Sequence, residues 1–383
     1  MPDDRMAELG WLTRTPLLLA ANRVYRSWKG GALLDTLQGS ARPTDTHFPE
    51  EWIASTTVTR LPNRPPDEGL SRVLAGNGTV PLKELIEAFP EPMLGEAHVR
   101  QYGRDLGLLC KLLDSAERLS IQTHPDRNFA RRHLRSNFGK TESWIVLETR
   151  KIGGEAPYLL YGFRDGMTET EFRRITDHQD TEAQIAALNR VPVSAGDMFL
   201  VPAGMPHAIG PGVFMIEVQE PTDFVVNVEY MFGGVRRTEE QCFLGLGFEL
   251  GMQCFDYHAV GHAVIEQNRL TPRMLGETAE VREDLLIGPE RTRCFGATRL
   301  QVRGTARTRS GECCAGIVVR GSGALGGSRT DPIRLTPGMS FFLPAAAEGV
   351  IIESQASEPL TVILCHPPDW KPAGRSDKGE EKP

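Results

Sequence analysis

Gly196-Asp197-Met198-Phe199-Leu200-Val201-Pro202-Ala203 and Gly338-Met339-Ser340-Phe341-Phe342-Leu343-Pro344-Ala345 are one local pattern written twice. Each opens on a turn glycine, runs through four mostly apolar residues of strand length, and leaves through Pro-Ala. Two copies of one β-unit predict two related β-sandwich domains, parted near residues 235 to 260. Eleven residues into each copy the chains differ, because the first has His207 where the second has Gly349. Whatever His207 does, the second domain does not do it. The expected division is 1–240, 241–370 and a charged, disordered tail over 371–383.

Composition agrees with such a chain. The 383 residues are 40% apolar and 24% charged, close to a globular average and long enough for about two or three domains. Gly 39 and Pro 27 favour a turn-rich fold over a helical bundle. Fifty acidic against 43 basic groups, a net charge of −7, leave no electrostatic footprint for nucleic acid. Asp3, Asp4 and Glu8 stand where a secretory signal would be basic, and no window reaches the length of a membrane span. Seven cysteines without a Cys-x-x-Cys read as reduced thiols. A cytoplasmic protein with no nucleic-acid or membrane partner is expected.

Periodicity places the remaining elements. Thr79 to Phe89 reads as a short helix, and Tyr102 to Leu113 fits either a buried helix or a strand. From Arg118 the period becomes two, with Leu119, Ile121 and Thr123 on one face and Ser120, Gln122 and His124 on the other. Asp126 to Arg135 reads as a polar helix and Glu142 to Leu147 as a strand. Thr168 with Glu171 has the spacing of a capping box, and Thr181 to Asn189 reads as a second helix. Strands are expected around Met198 to Val201, Val213 to Gln219 and Phe224 to Met231, with His207 on a loop.

Gln122 and His124 therefore project together from one strand face, and Glu142 and His207 follow. Two imidazoles, a carboxylate and an amide oxygen form a ligand set for a divalent ion with positions left for substrate. Zinc suits it best, and manganese, iron or cobalt also suit a mixed nitrogen and oxygen set.

The local words carry more than the spacing. Leu119-Ser120-Ile121-Gln122-Thr123-His124-Pro125-Asp126 is followed by Gly139-Lys140-Thr141-Glu142. Val201-Pro202-Ala203-Gly204 then leads to His207-Ala208-Ile209-Gly210. In this order the sequence resembles type I phosphomannose isomerases, the zinc-dependent mannose-6-phosphate isomerases built on the cupin β-sandwich. The likeness runs from Trp28-Lys29-Gly30-Gly31 and Glu51-Trp52-Ile53-Ala54-Ser55 through Asp223, and fades beyond. It resembles the compact bacterial form, without a large inserted helical domain.

The resemblance implies a mainly β fold of two cupin-like sandwiches with a few short helices. It implies one Zn2+ per chain on Gln122, His124, Glu142 and His207. Lys140, Ser120, Glu217 and Asp223 then line the pocket. The implied reaction is the interconversion of mannose 6-phosphate and fructose 6-phosphate through an enediol, with Lys140, Glu217 and Asp223 as proton-transfer candidates. Monomer and homodimer are both open.

One departure stands out. Where the family reads Ser-Asp followed by Thr-Tyr-Arg, this chain reads Thr222-Asp223-Phe224-Val225-Val226-Asn227. Asn227 can hydrogen-bond a substrate but carries no charge. Either Arg236, Arg237 or the cluster Arg131, Arg132, Arg135 takes over the phosphate, or the substrate is another sugar or sugar phosphate. A non-catalytic sugar-binding cupin is the alternative outside enzymology.

Other signals read as structural. Gly321-Ser322-Gly323-Ala324-Leu325-Gly326 reads as a glycine-rich hairpin, with Arg329 to Pro332 as loop and no helix to make a dinucleotide site. His258, His262 and Glu266 lack a further ligand, Cys313-Cys314 carries no sign of activation, and Trp52 and Trp144 read as core or pocket wall.

Overall fold

The computed structural model of the chain describes residues 9–327 and 330–372. Asp3, Asp4, Glu8, Arg329 and the expected tail from residue 373 onward lie outside them. Within them the chain is mainly β, with short helices between strands, and four of its sheets stack as layers.

The first layer has five strands in the order Leu188–Pro192, Tyr158–Phe163, His207–Ile209, Gln122–Thr123 and Val226–Asn227. The second has six, in the order Met198–Val201, Glu142–Thr149, Val213–Gln219, Leu109–Ser115, Glu50–Ile53 and Arg23–Val24. Leu159, Tyr161 and Ile209 of the first layer share a core with Leu113, Trp144, Phe199, Val201 and Met215 of the second. These two layers form the first sandwich.

The other face of the six-stranded sheet is also covered. Cys110, Leu112, Ile145, Leu200 and Ile216 pack in one cluster with Ala297, Ile317, Phe342, Ile363 and Cys365 of a seven-stranded sheet. That sheet in turn shares a core with a four-stranded one, through Val318, Phe341 and Val362 against Leu325, Leu335 and Ile352. Two sandwiches thus lie back to back. The segment Leu17–Leu18 pairs with the edge strand Ser340–Leu343, so the start of the chain contributes to the later sheet.

The repeated pattern corresponds to matching strands, Met198–Val201 and Ser340–Leu343, both buried throughout. Gly196 and Gly338 enter them at φ of 95° and 82°, in the left-handed region that a side chain would oppose.

Several boundaries differ from expectation. Tyr102 to Leu113 resolves into the strand Leu109–Ser115, every residue of which is buried. With both faces covered, nothing along the strand needs to alternate between apolar and polar. The helix expected from Thr79 starts at Leu82, because Gly78–Pro81 pairs with Arg72–Ala75 in a hairpin. The helix from Thr181 ends at Ala186, and Leu188–Pro192 is a strand against Tyr158–Phe163. Arg127–Phe129 and Ala130–Leu134 form the expected polar helix, its second part a π-turn, capped by the Asp126 carboxylate on the Phe129 amide.

Thr168 caps Glu169–Asp177, but Glu171 turns to Arg174 instead of closing a capping box. A complete box stands at Thr238 and Gln241. Of Phe224 to Met231 only Val226–Asn227 joins the first layer's ladder. Thr330–Leu335 is a strand rather than a loop and closes the glycine-rich hairpin against Gly323–Gly327. All seven cysteines are free thiols. No helix among the described residues is long and apolar enough to cross a membrane.

Candidate active site

His207 opens a three-residue strand instead of lying on a loop, and that strand joins it to Gln122. Asn227 flanks Gln122 on the other side, while Glu142 comes from the facing sheet, at the start of Glu142–Thr149. The sandwich thereby brings together residues separated in sequence. Glu142 Oε2 lies 3.3 Å from His124 Nε2, and Oε1 lies 3.4 Å from His207 Nε2. Ligand atoms of these three buried residues all fall within 4.8 Å of one another, the one such group among the described residues.

The imidazoles are held in one orientation. His124 Nδ1 donates to the carbonyl of Phe224 and His207 Nδ1 to that of Met205, each at 2.8 Å. Because a carbonyl only accepts, each Nδ1 carries the proton and each Nε2 keeps its lone pair toward the carboxylate. Burial, and then Lys140, push His124 down to about 3, and burial also lowers His207. Both rings are neutral at pH 7, the form a metal needs. Burial alone would raise the Glu142 carboxyl, but Lys140 holds it well below its usual range.

Two lone pairs aimed at a carboxylate require a positive charge among them. Lys140 Nζ provides one, 2.9 Å from Glu142 Oε2 and 3.1 Å from His124 Nε2. Gln122 Nε2 lies 3.2 Å from His207 Nε2, so a half-turn of the amide brings its oxygen to the cluster. Two nitrogens and two oxygens fit a divalent metal ion, and Trp144 braces His207 edge-on at 5.3 Å.

Beside this group lies a network that sequence reasoning largely missed. Lys111 Nζ stands 2.6 Å from Glu217 Oε1, with both side chains buried and the residues opposite each other in the ladder. Burial raises the Glu217 carboxyl, Glu142 raises it further, and Lys111 and Lys140 oppose both. Arg26 Nη2 lies 2.8 Å from Glu50 Oε2 and 3.5 Å from Asp223 Oδ1. Trp52 sits between the two groups, donating to Glu50 and facing Lys111 Nζ at 5.3 Å. A lysine inside the run Leu108-Leu109-Cys110-Lys111-Leu112-Leu113 was the available signal, since an unpaired buried ammonium is costly.

On the opposite flank Ser120 Oγ donates to Asn227 Oδ1 at 2.6 Å, and Arg237 Nη1 donates to Ser120 Oγ at 3.2 Å. All the residues expected at the site thus fall in one connected region. The other signals stay apart. Arg131, Arg132, Arg135 and Arg236 are exposed, as are His258, His262 and Glu266, with His258 outside the helix His262–Asn268. Cys313 is buried, which pushes its thiol up to about 12.

Residues 37–140 match the model of the phosphomannose isomerase type I catalytic domain. The chain is 36% identical over 214 residues to a mannose-6-phosphate isomerase of Streptococcus mutans, covering 56% of this chain and 60% of that one. It is 30% identical over 221 residues to the putative mannose-6-phosphate isomerase YvyI of Bacillus subtilis, covering 57% and 61%. The matched stretch therefore spans about 60% of the length of these curated relatives.

Among solved structures, the mannose 6-phosphate isomerase of Bacillus subtilis superimposes with a TM-score of 0.71 at 24% identity. It covers 92% of this chain and 100% of the other. A putative mannosephosphate isomerase of Archaeoglobus fulgidus gives 0.68 at 19%, covering 93% and 98%. At these identities the structures establish a shared fold. The likeness to type I phosphomannose isomerases holds in both sequence and fold.

Proposed function

We propose that this relative of type I phosphomannose isomerases is a metal-dependent aldose–ketose isomerase interconverting mannose 6-phosphate and fructose 6-phosphate. The observation that carries the reading is the convergence of His124, Glu142 and His207 beside the buried Lys111–Glu217 pair. Ligands alone would suit a storage or structural site. A raised carboxyl paired to an ammonium next to them suits proton transfer.

Zinc, one ion per chain, is the proposed metal, held by Gln122, His124, Glu142 and His207. When bound, it would supply a Lewis acid for the sugar oxygens. The chain's own residues account for the proton. One leaves C2 of the aldose and one arrives at C1 of the ketose, while a hydroxyl proton passes from O2 to O1, so no external oxidant or reductant is needed. Glu217 is the favoured base, since burial gives it more affinity for a proton than an exposed carboxylate has. Lys111, 2.6 Å away, stabilises its charged form before the transfer. Lys140 is placed to steady an enediol oxygen, and Asp223, tethered to Arg26 and the Arg60 amide, to orient hydroxyls.

The reading assigns the reaction to 1–240, with 241–370 as an accompanying sandwich. It includes a cytoplasmic location, supported by seven free thiols, and action as a monomer or homodimer. A coupled assay of zinc-loaded full-length protein is the test. Interconversion of the two hexose 6-phosphates is expected, and none with zinc, manganese or cobalt overturns the reading.

A further inference from the structure

Arg237, beside the site, has no carboxylate of its own among the described residues. Lys140 has Glu142, Lys111 has Glu217, and Arg26 has Glu50. Glu229 is buried close by, but Arg118 grips both its oxygens, at 2.7 and 2.8 Å. Among the described residues no carboxylate oxygen lies within ion-pair distance of Arg237. Its two terminal nitrogens meet hydroxyls instead, Nη1 at 3.2 Å from Ser120 Oγ and Nη2 at 3.4 Å from Ser27 Oγ. The guanidinium lies over the Phe232 ring at 5.2 Å. A half-buried cation held only by neutral groups lacks compensation, and burial presses against its charged form.

The side chain is also placed with some firmness. Arg237 follows the hairpin of Met231–Phe232 and Val235–Arg236, and precedes the boxed cap of Thr238. Its neighbour Arg236 is exposed on the hairpin. From Arg237 a line of contacts leads inward. Ser120 receives its hydrogen bond and passes one to Asn227, Asn227 pairs across the ladder with Gln122, and Gln122 meets His207. Outward, Ser27, Lys29, Arg118 and Phe232 line a cavity of about 490 Å3, together with His47 and one carboxylate, Glu117. An elongated ligand with its carbonyl end at the His–Glu–His cluster would carry its far end to this side.

We propose that Arg237, with the hydroxyls of Ser120 and Ser27, forms the subsite for a phosphate monoester, supplying the positive charge that Asn227 does not. A guanidinium offers a planar fork of donors that matches two phosphate oxygens, and the Ser27 hydroxyl can donate to a third, while the Ser120 hydroxyl, which donates to Asn227, holds the fork in place. The identity of the ligand as a sugar phosphate rests on the isomerase reading. The anion subsite itself does not.

Arg237→Gln in the zinc-loaded full chain tests it. The KM for mannose 6-phosphate should rise at least tenfold, kcat should change far less, and inhibition by inorganic phosphate should weaken by a similar factor, with metal content unchanged. Unaltered KM and phosphate inhibition overturn the subsite while leaving the isomerase intact. If the wild type turns over no sugar phosphate, calorimetric binding of inorganic phosphate that is lost in Arg237→Gln still supports the subsite, and absence of binding to wild type overturns it. A measurement on wild type alone guards against a variant that fails to fold. Adduct formation by phenylglyoxal at Arg237, read by peptide mass spectrometry, should be slowed several-fold by inorganic phosphate and not by chloride at equal ionic strength. No protection overturns the proposal.

Discussion

Lys111 and Glu217 face each other across neighbouring antiparallel strands with Nζ 2.6 Å from Oε1, both buried. In a layer covered on both sides neither charge has water to turn to, so each depends on the other. Removing one partner of such a pair strands the other, at a cost of about 3–5 kcal/mol, whereas replacing both by apolar residues is often neutral. Lys111→Met should therefore destabilise by about 3 kcal/mol or more and abolish turnover. Lys111→Met with Glu217→Leu should recover most of the stability and none of the activity. Denaturant unfolding beside the coupled assay distinguishes the two; activity in the double variant would remove Glu217 from the chemistry.

His207 is fully buried, with Nδ1 committed to the Met205 carbonyl and Nε2 to the cluster. An ion bound to the folded state alone, at a free concentration 1,000 times its Kd, stabilises by about 4 kcal/mol. Chelation of the zinc-loaded protein should lower Tm by several degrees, and readdition should restore it. His207→Ala should bind less than stoichiometric zinc and show little Tm response to chelator. Metal analysis and calorimetry on the same samples check both points, and an unchanged zinc content in His207→Ala would remove that residue from the ligand set.

Glu50 offers a test by pH. Burial opposes its charge, but Arg26 and Lys111 outweigh burial and hold the carboxyl at about 2 against an ordinary 4.5. A carboxyl depressed on folding stabilises fully above its unfolded value, and that stabilisation is lost as pH falls from 4.5 through about 2. The difference corresponds to about 3 kcal/mol at neutral pH. Glu50→Gln should be less stable than wild type by that order at pH 7, and the gap should narrow steadily below pH 4.5. Urea midpoints across pH 3 to 7 measure it; a constant gap would mean that the loss is one of packing.

These tests reach residues of unequal visibility in the sequence. The doubled strand was legible because Gly196 and Gly338 bracket two short apolar runs in the same way. The words around Gln122, His124, Glu142 and His207 pointed to a metal before any geometry was known. Lys111 left one signal, a charge inside an apolar run, but Leu109–Ser115 is covered on both faces and carries no alternation to say which way its lysine points. Strands of two or three residues, such as Gln122–Thr123 and His207–Ile209, are too short to leave a periodic signal and exist through their partners. Arg236 and Arg237 are chemically identical neighbours, and only the hairpin turns one toward Ser120 and leaves the other in water.

The stacking of four layers makes a prediction about cooperativity. Gly316 lies in the seven-stranded sheet, where an added Cβ would stand 2.1 Å from Phe341 Cζ, in the core shared with the four-stranded sheet. Overpacking of that kind costs about 1–3 kcal/mol. The six- and seven-stranded sheets share one apolar cluster, and Leu17–Leu18 pairs directly with Ser340–Leu343, so neither sandwich can open without uncovering the other. Gly316→Ala should therefore lower the single unfolding transition of the whole protein, including that followed by release of the bound zinc, while leaving zinc affinity of the folded state unchanged. Calorimetry with simultaneous detection of released metal reads both. Two separated transitions, with only the metal-free one shifted, would show instead that the sandwiches unfold independently.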